Sequence, residues 1–358
     1  MKAIAVTREE RDLRVVEKPR PEPDAGEALV EVLRVGVDGT DHEVIRGGHG
    51  GFPEGEDHMV LGHEAVGVVA DANGTDLEEG QVVVPTVRRP PNGTNEYFER
   101  GEPDMAPPGE YVERGIEGGH GFMAEYVTSP AEYLVAIPEE LAELGFLVEP
   151  ASISEKAFEL AEAARSSFEW TPESAFVLGN GSLGLLTLAM LDDAGYDDLY
   201  CAGRRSRPDP TINVVDALDA TYVNTEETAV ADFADAYDPA DFVYEATGYA
   251  RHAFDSVRAL APNGVAALLG VPGGEWDVEV DAAAYHREVV LENKAVVGSV
   301  NSGVEHFEDG AETLQSLPEW LFDDLVTGVY GLDEFEKAFV DDETTIKTAV
   351  EFTTYEER

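Results

Sequence analysis

The chain has 358 residues, with 74 Asp or Glu against 24 Lys or Arg, and its formal net charge is −50. Acidic disorder is excluded, because 43% of the residues are hydrophobic and the acids are scattered among periodic apolar segments. The charge disfavours nucleic acid and anionic membranes as partners. It favours a protein adapted to a cytosol at molar salt, where the Debye length falls to about 3 Å and the self-repulsion is screened, over the alternative of an ordinary acidic protein.

Three sequence features also favour the cytoplasm. The first residues run from Met1 into a charged segment at 8–11 and lack the apolar core of a secretory signal. No stretch approaches the roughly 18 uninterrupted apolar residues of a membrane-spanning helix. Cys201 is the only cysteine, so no intrachain disulfide can form. We expect a cytoplasmic protein with no membrane partner.

The first part of the chain, to about residue 150, is predicted to be β-rich. It contains many Gly and Pro residues and short apolar runs at 28–33, 65–69 and 81–84. This pattern is typical of a barrel-like β fold with long loops. The total length suggests that a second domain follows.

Four residues of this first part could ligate a metal. His63 offers an imidazole, and carboxylates are offered by Asp38, Glu64 and Glu149. Three protein ligands plus water is the pattern of a catalytic zinc site. The spacing alone does not separate a metal site from ordinary surface ion pairs.

From residue 152 to about 300, predicted strands alternate with helices. The strands are expected at 175–178, 198–202, 241–246, 264–270 and 295–300, and the helices include 185–191 and 251–261. Alternation of this kind implies a parallel sheet in an α/β fold. Further helices are expected at 307–315 and 332–339, and a closing strand at 347–352.

A glycine motif lies between the first of these strands and its helix. It reads Gly179, Asn180, Gly181, Ser182, Leu183, Gly184. The three glycines permit a tight turn, the approach of a pyrophosphate and close helix–strand packing, and the helix N-terminus faces the phosphates. We predict a dinucleotide site, with a plain glycine turn as the alternative. Thr247 and Gly248, after a later strand, are expected to pass close to the cofactor.

The end of the second strand indicates which dinucleotide is preferred. An NAD site usually carries Asp or Glu there to bind the ribose 2′-hydroxyl, but this chain has Gly203, Arg204 and Arg205. A guanidinium group binds a 2′-phosphate bidentately. NADP is therefore the favoured cofactor, acceptance of NAD stays open, and a solvated turn is the alternative.

The chain resembles the medium-chain, zinc-dependent alcohol dehydrogenase superfamily over its whole length. The resemblance rests on Gly62-His63-Glu64 with Gly67 and on the later glycine motif. Finer motifs are similar to the halophilic members of the archaeal glucose 1-dehydrogenase branch: residues 35–41, 113–116, 149–150, 203–205 and 298–301. The resemblance implies a GroES-like β-rich catalytic domain (1–151 and 307–358) and a Rossmann doubly wound parallel-sheet domain (152–306). It also implies NADP-linked oxidation of β-D-glucose at C1 to gluconolactone by a homodimer or homotetramer.

The resemblance also assigns roles to individual residues. Asp38 and His63 would ligate zinc directly, joined by Glu64 or Glu149. Thr40 would hydrogen-bond the alcohol or a cofactor ribose and begin the proton path. The residues expected to contact the sugar are Thr40, Glu113, Glu149 and Asn301, and Asn301 is also a cofactor candidate.

Two departures from the superfamily pattern matter. Many members carry Cys where this chain has Asp38, which can still ligate zinc through oxygen. Members of the superfamily often hold a structural zinc through several cysteines in the lobe that corresponds to residues 88–120. This stretch has no cysteine in this chain, so we predict one zinc per chain. Two alternatives stay open: a zinc dehydrogenase for another aldose, polyol or secondary alcohol, and a catalytically silent dinucleotide-binding protein.

Overall fold

The computed structural model describes residues 1–274 and 277–357. It divides into two compact units, each with its own core. The first unit comprises residues 1–153, 301–315 and 326–358, and the second comprises 154–300 and 316–325. Among the described residues, no helix has both the length and the apolar character required to span a membrane.

The elements are numbered in chain order. The strands are β1 (Lys2–Thr7), β2 (Leu13–Glu17), β3 (Glu27–Val37), β4 (His58–Val60), β5 (Ala65–Asp71), β6 (Val82–Pro85), β7 (Arg88–Arg89), β8 (Val112–Arg114), β9 (Gly118–Gly119), β10 (Tyr126–Pro130), β11 (Leu134–Ala136), β12 (Ser174–Leu178), β13 (Asp198–Gly203), β14 (Thr221–Asn224), β15 (Ala240–Glu245), β16 (Leu260–Leu268), β17 (Ala295–Gly298), β18 (Val326–Gly331) and β19 (Lys347–Glu351). The α-helices are α1 (Gly39–Arg46), α2 (Glu96–Glu99), α3 (Val148–Arg165), α4 (Ser182–Asp193), α5 (Pro210–Ala217), α6 (Phe233–Ala236), α7 (His252–Ala259), α8 (Ala282–Leu291), α9 (Val304–Ser316) and α10 (Glu319–Leu325).

Strand β3 organises the first unit. It is 11 residues long, most of its residues are buried and none is fully exposed, and strands pair with it on both edges. Strand β5 pairs with one edge, while β10 and β19 pair with the other, in the order β11-β6-β5-β3-β19-β18. Smaller sheets, β2-β1-β4 and β7-β8-β9, complete the unit. This arrangement brings the end of β3 next to the start of both β5 and β19.

The second unit is built on a six-stranded parallel sheet in the order β14-β13-β12-β15-β16-β17. Its core includes Phe176, whose ring stacks on that of Phe233 with centroids 3.9 Å apart. The strand order reverses between β12 and β15. In open α/β sheets, ligands bind at such a switch point, beyond the carboxyl ends of the strands. The predicted α/β fold class, with one β-rich unit and one doubly wound sheet, is confirmed.

Some predicted elements differ from the structure. The segment 332–339 is a 3₁₀ helix interrupted at Glu334, not a regular α-helix. The helix predicted to reach residue 261 ends at Ala259, because Leu260 already pairs with Ala240 in the parallel sheet. The stretch 88–120, for which no elements were predicted, contains the short strands β7, β8 and β9 and the short helix α2. Helices α1 and α3 were not predicted.

The compact units also differ from the predicted domain ranges. Asn301 and Ser302 lie in the first unit, where Ser302 Oγ is 2.7 Å from Ser152 Oγ. Residues 316–325 lie in the second unit, where Ser316 Oγ donates to Asp193 Oδ2 at 2.6 Å and α10 packs on α4 and α5. The boundaries of the two units depend on side-chain contacts of this kind, which cannot be predicted from the composition of a segment.

Candidate active site

Asp38 occupies the N-cap of helix α1 and is fixed there by Asp41. The Asp38 carboxylate accepts from the backbone N–H of Asp41 at 3.1 Å, and the Asp41 carboxylate accepts from the N–H of Asp38 at 3.2 Å. This reciprocal capping box satisfies two donors that a helix start otherwise leaves unpaired. Asp38 Oδ2 is left facing His63.

His63 is held against Asp38 by the turn before it. Gly62 has φ 84°, a conformation that favours glycine, and its N–H donates to Asp41 Oδ1 at 3.2 Å. Asp41 therefore ties the helix cap to the turn that carries His63. The Nε2 atom of His63 lies 3.7 Å from Asp38 Oδ2, and the His63 side chain is only 5% exposed.

Glu64 forms a buried ion pair with Lys347, the first residue of β19. The two side chains meet beside Gly36, which lies near the end of β3. A Cβ atom at Gly36 would lie 2.1 Å from Glu64 Oε2 and 3.2 Å from Lys347 Cε. The absence of a side chain at Gly36 makes this meeting of strands β3, β5 and β19 possible.

The electrostatics of the Asp38–His63 pair favour the charged form of both side chains, a carboxylate and an imidazolium. Burial alone would raise the pKa of Asp38 and lower the pKa of His63. Their mutual attraction outweighs burial at both residues, so the pKa of Asp38 lies well below and that of His63 well above its usual value.

The surrounding carboxyl groups shift in the opposite direction. Burial raises the pKa of Glu149 to about 8, and the nearby Glu64 and Asp38 carboxylates add to the shift. Burial also raises the pKa of Asp41 to about 7 and the pKa of Glu64 above its usual value. Negative charge is thus crowded at this point of the first unit.

These residues fit a divalent cation. One ligand atom from each of Asp38, His63 and Glu64 lies within 4.8 Å of the others. The Nδ1 atom of His63 is buried and has no hydrogen-bond partner among the described residues. A carboxylate and an imidazole are donors that zinc accepts, and a divalent charge would relieve the crowding of acids around a single lysine. Glu149 lies outside this group of three, although its carboxyl interacts electrostatically with all of them.

The two predicted sugar-contacting residues Glu113 and Asn301 lie together. Asn301 Nδ2 donates to Glu113 Oε1 at 3.4 Å, and Asn301 has φ 57°, a left-handed conformation that Asn tolerates. Arg88 Nε donates to the same Glu113 oxygen at 3.0 Å, and the Arg88 side chain is 1% exposed. Thr40 is half-buried in the first turn of α1, two residues after Asp38.

The glycine motif forms the turn between β12 and α4 in the second unit. Gly179 has φ 117°. A Cβ atom at Gly184 would lie 1.9 Å from the carbonyl oxygen of Gly179. At Gly181, by contrast, a Cβ atom would meet no atom within 4 Å. Gly181 is also the N-cap of α4 and supplies no side-chain cap to the helix, so the first-turn N–H groups face an open approach. Asn180 lies in the turn, and Ser182 and Leu183 begin α4.

The Gly203 position has no room for an acidic side chain. A Cβ atom there would lie 2.4 Å from Asn180 Oδ1 and 2.5 Å from the hydroxyl of Tyr222. Arg204 is exposed, whereas Arg205 donates to Asp209 Oδ2 at 3.2 Å. The two arginines are therefore not equivalent: Arg205 also helps to fix Asp209, the N-cap of α5.

The Thr247–Gly248 turn lies beside the glycine motif, because strands β15 and β12 are neighbours. A Cβ atom at Gly179 would lie 3.2 Å from Thr247 Cγ2. Glu245, which is 3% exposed, accepts from the backbone N–H of Thr247 at 2.8 Å. The Nδ1 atom of His252 is 2.9 Å from Thr247 Oγ1. Gly248 has φ 65°.

Four supporting residues were missed by sequence reasoning: Asp41, Arg88, Glu245 and Lys347. The Asp-x-x-Asp spacing of the capping box could have identified Asp41. A lysine at the start of the predicted strand 347–352 was a weak signal for a buried charge, but nothing in the sequence relates residue 347 to residue 64. Arg88 and Glu245 carry no local signal.

Comparison with known proteins places the chain in a family. A model of the alcohol dehydrogenase GroES-like domain matches residues 24–139, and a model of the glucose dehydrogenase C-terminus matches residues 142–352. Glucose 1-dehydrogenase of Haloferax mediterranei is 69% identical over 357 residues, which cover 99% of this chain and 100% of the relative. Glucose 1-dehydrogenase 1 of Haloterrigena turkmenica is 64% identical over 363 residues, with 98% and 99% covered.

A solved structure agrees with these matches. Haloferax mediterranei glucose dehydrogenase in complex with NADP, Zn and gluconolactone superposes with a TM-score of 0.97 at 69% identity, covering 99% of this chain and 100% of the other. The resemblance drawn from the motifs is confirmed. The chain belongs to the glucose dehydrogenase family of medium-chain, zinc-dependent dehydrogenases.

Proposed function

We propose that the protein is a glucose 1-dehydrogenase that oxidises β-D-glucose at C1 to gluconolactone with NADP⁺ and one zinc ion. The observation that carries the proposal is the group of Asp38 with the buried His63 and Glu64, in a chain 69% identical to a protein solved with NADP, Zn and gluconolactone. When bound, zinc supplies a Lewis acid toward the C1 hydroxyl, and NADP⁺ supplies the hydride acceptor.

The side chains of the first unit hold the metal and the sugar. Asp38 and His63 are the direct ligands, and Lys347 holds Glu64 in place beside them. Glu149 would have its pKa lowered by a cation held in this cluster, and its carboxylate would then serve as a ligand or a proton acceptor. Thr40 accepts a hydrogen bond from the reacting hydroxyl and starts the proton path. Glu149 also faces the substrate.

Glu113 and Asn301 recognise sugar hydroxyls. A carboxylate accepts from a hydroxyl group and an amide can both donate and accept, so the pair suits neighbouring hydroxyls. Arg88 fixes Glu113 through its Nε donor at 3.0 Å, which orients the carboxylate before substrate arrives. Asn301 also contributes to cofactor binding.

The second unit binds NADP. The turn from Gly179 to Gly184 receives the pyrophosphate, Arg204 and Arg205 bind the 2′-phosphate, and Thr247 and Gly248 line the switch point of the sheet. The lack of space for an acid at Gly203 removes the repulsion that would disfavour NADP. NAD lacks the phosphate and is accepted less well.

One assay tests the proposal against its alternatives. Reduction of NADP⁺ and NAD⁺ is measured with a panel of aldoses, polyols and secondary alcohols in molar KCl, alongside zinc per chain by elemental analysis. We expect turnover with glucose, one catalytic zinc and a higher kcat/KM for NADP⁺. Faster turnover with another sugar or alcohol would reassign the substrate, and no turnover despite NADP binding would indicate a silent dinucleotide-binding protein.

We also propose that the protein works as a homo-oligomer in a high-salt cytosol, with a dimer formed through β17. This strand is an edge of the six-stranded sheet, and the nearby helix α8 exposes Val290 (58%) and Leu291 (72%). An exposed edge strand beside apolar side chains is a surface that proteins usually cover. Sedimentation in molar KCl should show a dimer or a tetramer built from dimers. Val290→Glu with Leu291→Glu should dissociate this contact, whereas Val329→Glu in the first unit should not.

A further inference from the structure

A second group of possible metal ligands lies in the first unit, apart from the Asp38–His63–Glu64 group. It consists of Glu56, His58 and His120, and one ligand atom from each lies within 4.8 Å of the others. His58 begins strand β4, and His120 follows strand β9 directly. The two rings are stacked, with centroids 5.2 Å apart and planes 26° from parallel.

The imidazoles of this group converge on a cation. Lys18 Nζ lies 3.2 Å from Nε2 of His58 and 3.1 Å from Nε2 of His120. An ammonium ion thus already occupies the point at which both nitrogens meet. Burial, together with the charge of Lys18, lowers the pKa of His120 to about 4, so this ring is neutral at physiological pH, the state in which imidazole binds metals.

The surroundings of His58 and Glu56 suit a metal as well. Asp57 Oδ1 is 2.8 Å from Nδ1 of His58, the carboxylate–histidine contact that orients many metal-binding imidazoles. Glu56 and Asp57, with Glu54 and Arg8, line an open cavity of about 920 Å³, so solvent reaches the Glu56 side of the group.

We propose that Glu56, His58 and His120 bind an exchangeable divalent transition-metal ion such as Zn²⁺, in competition with the Lys18 ammonium. Two imidazoles and one glutamate form a known zinc ligand set. Donor atoms around a tetrahedral zinc ion lie about 3.3 Å apart, so the three ligand atoms, which lie within 4.8 Å of one another, have to draw together. The Glu56 side chain is exposed, with Oε2 3.9 Å from Nδ1 of His58, and has to rotate toward the Nε2 side of the rings.

This site should be weaker than the catalytic one for two reasons. The ion has to displace Lys18 from both imidazoles. Val60 N also lies 3.2 Å from Nδ1 of His120, and a neutral ring that binds a metal through Nε2 carries its proton on Nδ1, so this N–H has to move away from the ring. The ion is therefore expected to exchange during desalting, whereas the catalytic zinc stays bound.

Titration of the holoenzyme with ZnCl₂ tests the proposal. Protein that carries one zinc per chain is titrated calorimetrically in molar KCl, and zinc is counted by elemental analysis before and after desalting. Wild type should take up one further equivalent and release it on desalting. His58→Gln, His120→Gln and Glu56→Gln should each weaken this step at least about 100-fold, because loss of a direct ligand exceeds the 10–100-fold cost of an outer contact.

Two further variants make the test selective. Lys18→Met should tighten the second step about tenfold, because the ion no longer competes with the Lys18 ammonium that faces Nε2 of both imidazoles. His49→Gln removes an exposed histidine outside the group and should leave the step unchanged. The proposal fails if wild type binds no second ion or if Glu56→Gln and His58→Gln bind it normally. It also fails if Lys18→Met weakens binding. Retained catalytic zinc in each variant shows that the fold is intact.

Discussion

Lys347 donates through Nζ to Glu64 Oε2, and the two side chains are only 1% and 2% exposed. The pair lies beside Gly36, where strands β3, β5 and β19 meet, and Glu64 directly follows the proposed zinc ligand His63. A charge that is needed for folding therefore also fixes the position of a carboxylate in the candidate site.

The Lys347→Met variant should be markedly less stable. Removal of one partner of a buried ion pair leaves the other charge uncompensated, at a cost of about 3–5 kcal/mol. Denaturant unfolding in molar KCl measures the loss. Lys337→Met is the matched control, because Lys337 pairs with Glu334 on the surface and should contribute little. If Glu64→Gln does not restore stability to Lys347→Met, the cost comes from something other than the buried Glu64 charge.

The glycines of the dinucleotide turn should respond differently to alanine. Gly184→Ala places a Cβ atom 1.9 Å from the Gly179 carbonyl oxygen and should lower both Tm and NADP affinity. Gly181→Ala meets no protein atom within 4 Å, and its φ of −81° is allowed for alanine, so Tm should be kept while NADP binding weakens. Melting curves and NADP titrations separate the two effects. Normal NADP affinity in Gly181→Ala would place the pyrophosphate elsewhere.

Local patterns made the second unit easier to predict than the site in the first. Strand–turn–helix alternation and the glycine motif are contiguous in sequence, so β12, α4 and β13 were found close to their observed bounds. The Lys347–Glu64 pair joins residues 283 positions apart, and only the strand order around β3 brings them together.

The proposed ligands were identified from their side-chain chemistry and from the family resemblance, but the residues that support them were not. Asp38 and His63 are residue types that can ligate zinc, and their assignment as ligands stays a prediction. Asp41, which ties both of them in place through the α1 cap and the N–H of Gly62, was not expected to act. A backbone hydrogen-bond network depends on dihedral angles that residue types only bias.

Replacement of both Arg204 and Arg205 by Gln should raise KM for NADP far more than KM for NAD. Charge-assisted hydrogen bonds to the 2′-phosphate are worth about 1.5–3 kcal/mol each, and NAD makes none of them. The Arg205→Gln variant alone should also lose some stability, because Asp209 at the start of α5 loses one of its partners and keeps Thr211. Arg207→Gln removes a nearby exposed arginine that pairs with Asp216 and serves as the control. An unchanged NADP/NAD ratio in the double variant would refute the assignment.

Stability should rise steeply with salt. The net charge of −50 makes the folded chain repel itself, and molar KCl screens charges beyond about 3 Å. Melting temperatures across a KCl series should increase, and the oligomer should loosen on dilution into low salt. A melting temperature that does not depend on KCl would contradict this explanation of the acidic composition.

Loss of either Asp38 or His63 should remove the catalytic zinc. Asp38→Ala and His63→Ala should abolish turnover and lower zinc content while NADP affinity is largely kept, because the residues proposed to bind NADP belong mainly to the second unit. Asp38→Cys should retain zinc and measurable activity, since a thiolate supplies the same charge at a bond of about 2.3 Å instead of 2.0–2.2 Å. Elemental analysis, initial rates and NADP titration measure the three quantities.

The cap at Asp38 has to be separated from its role as a ligand. Asp38→Ala also loses the hydrogen bond to the N–H of Asp41, which is typically worth about 0.5–2 kcal/mol at an N-cap. Asp38→Asn keeps an oxygen for the cap but removes the charge, so it should keep stability and still lose zinc. Full zinc and full activity in Asp38→Asn and Asp38→Ala would show that Asp38 only caps α1. The metal would then have to be assigned to His63, Glu64 and Glu149.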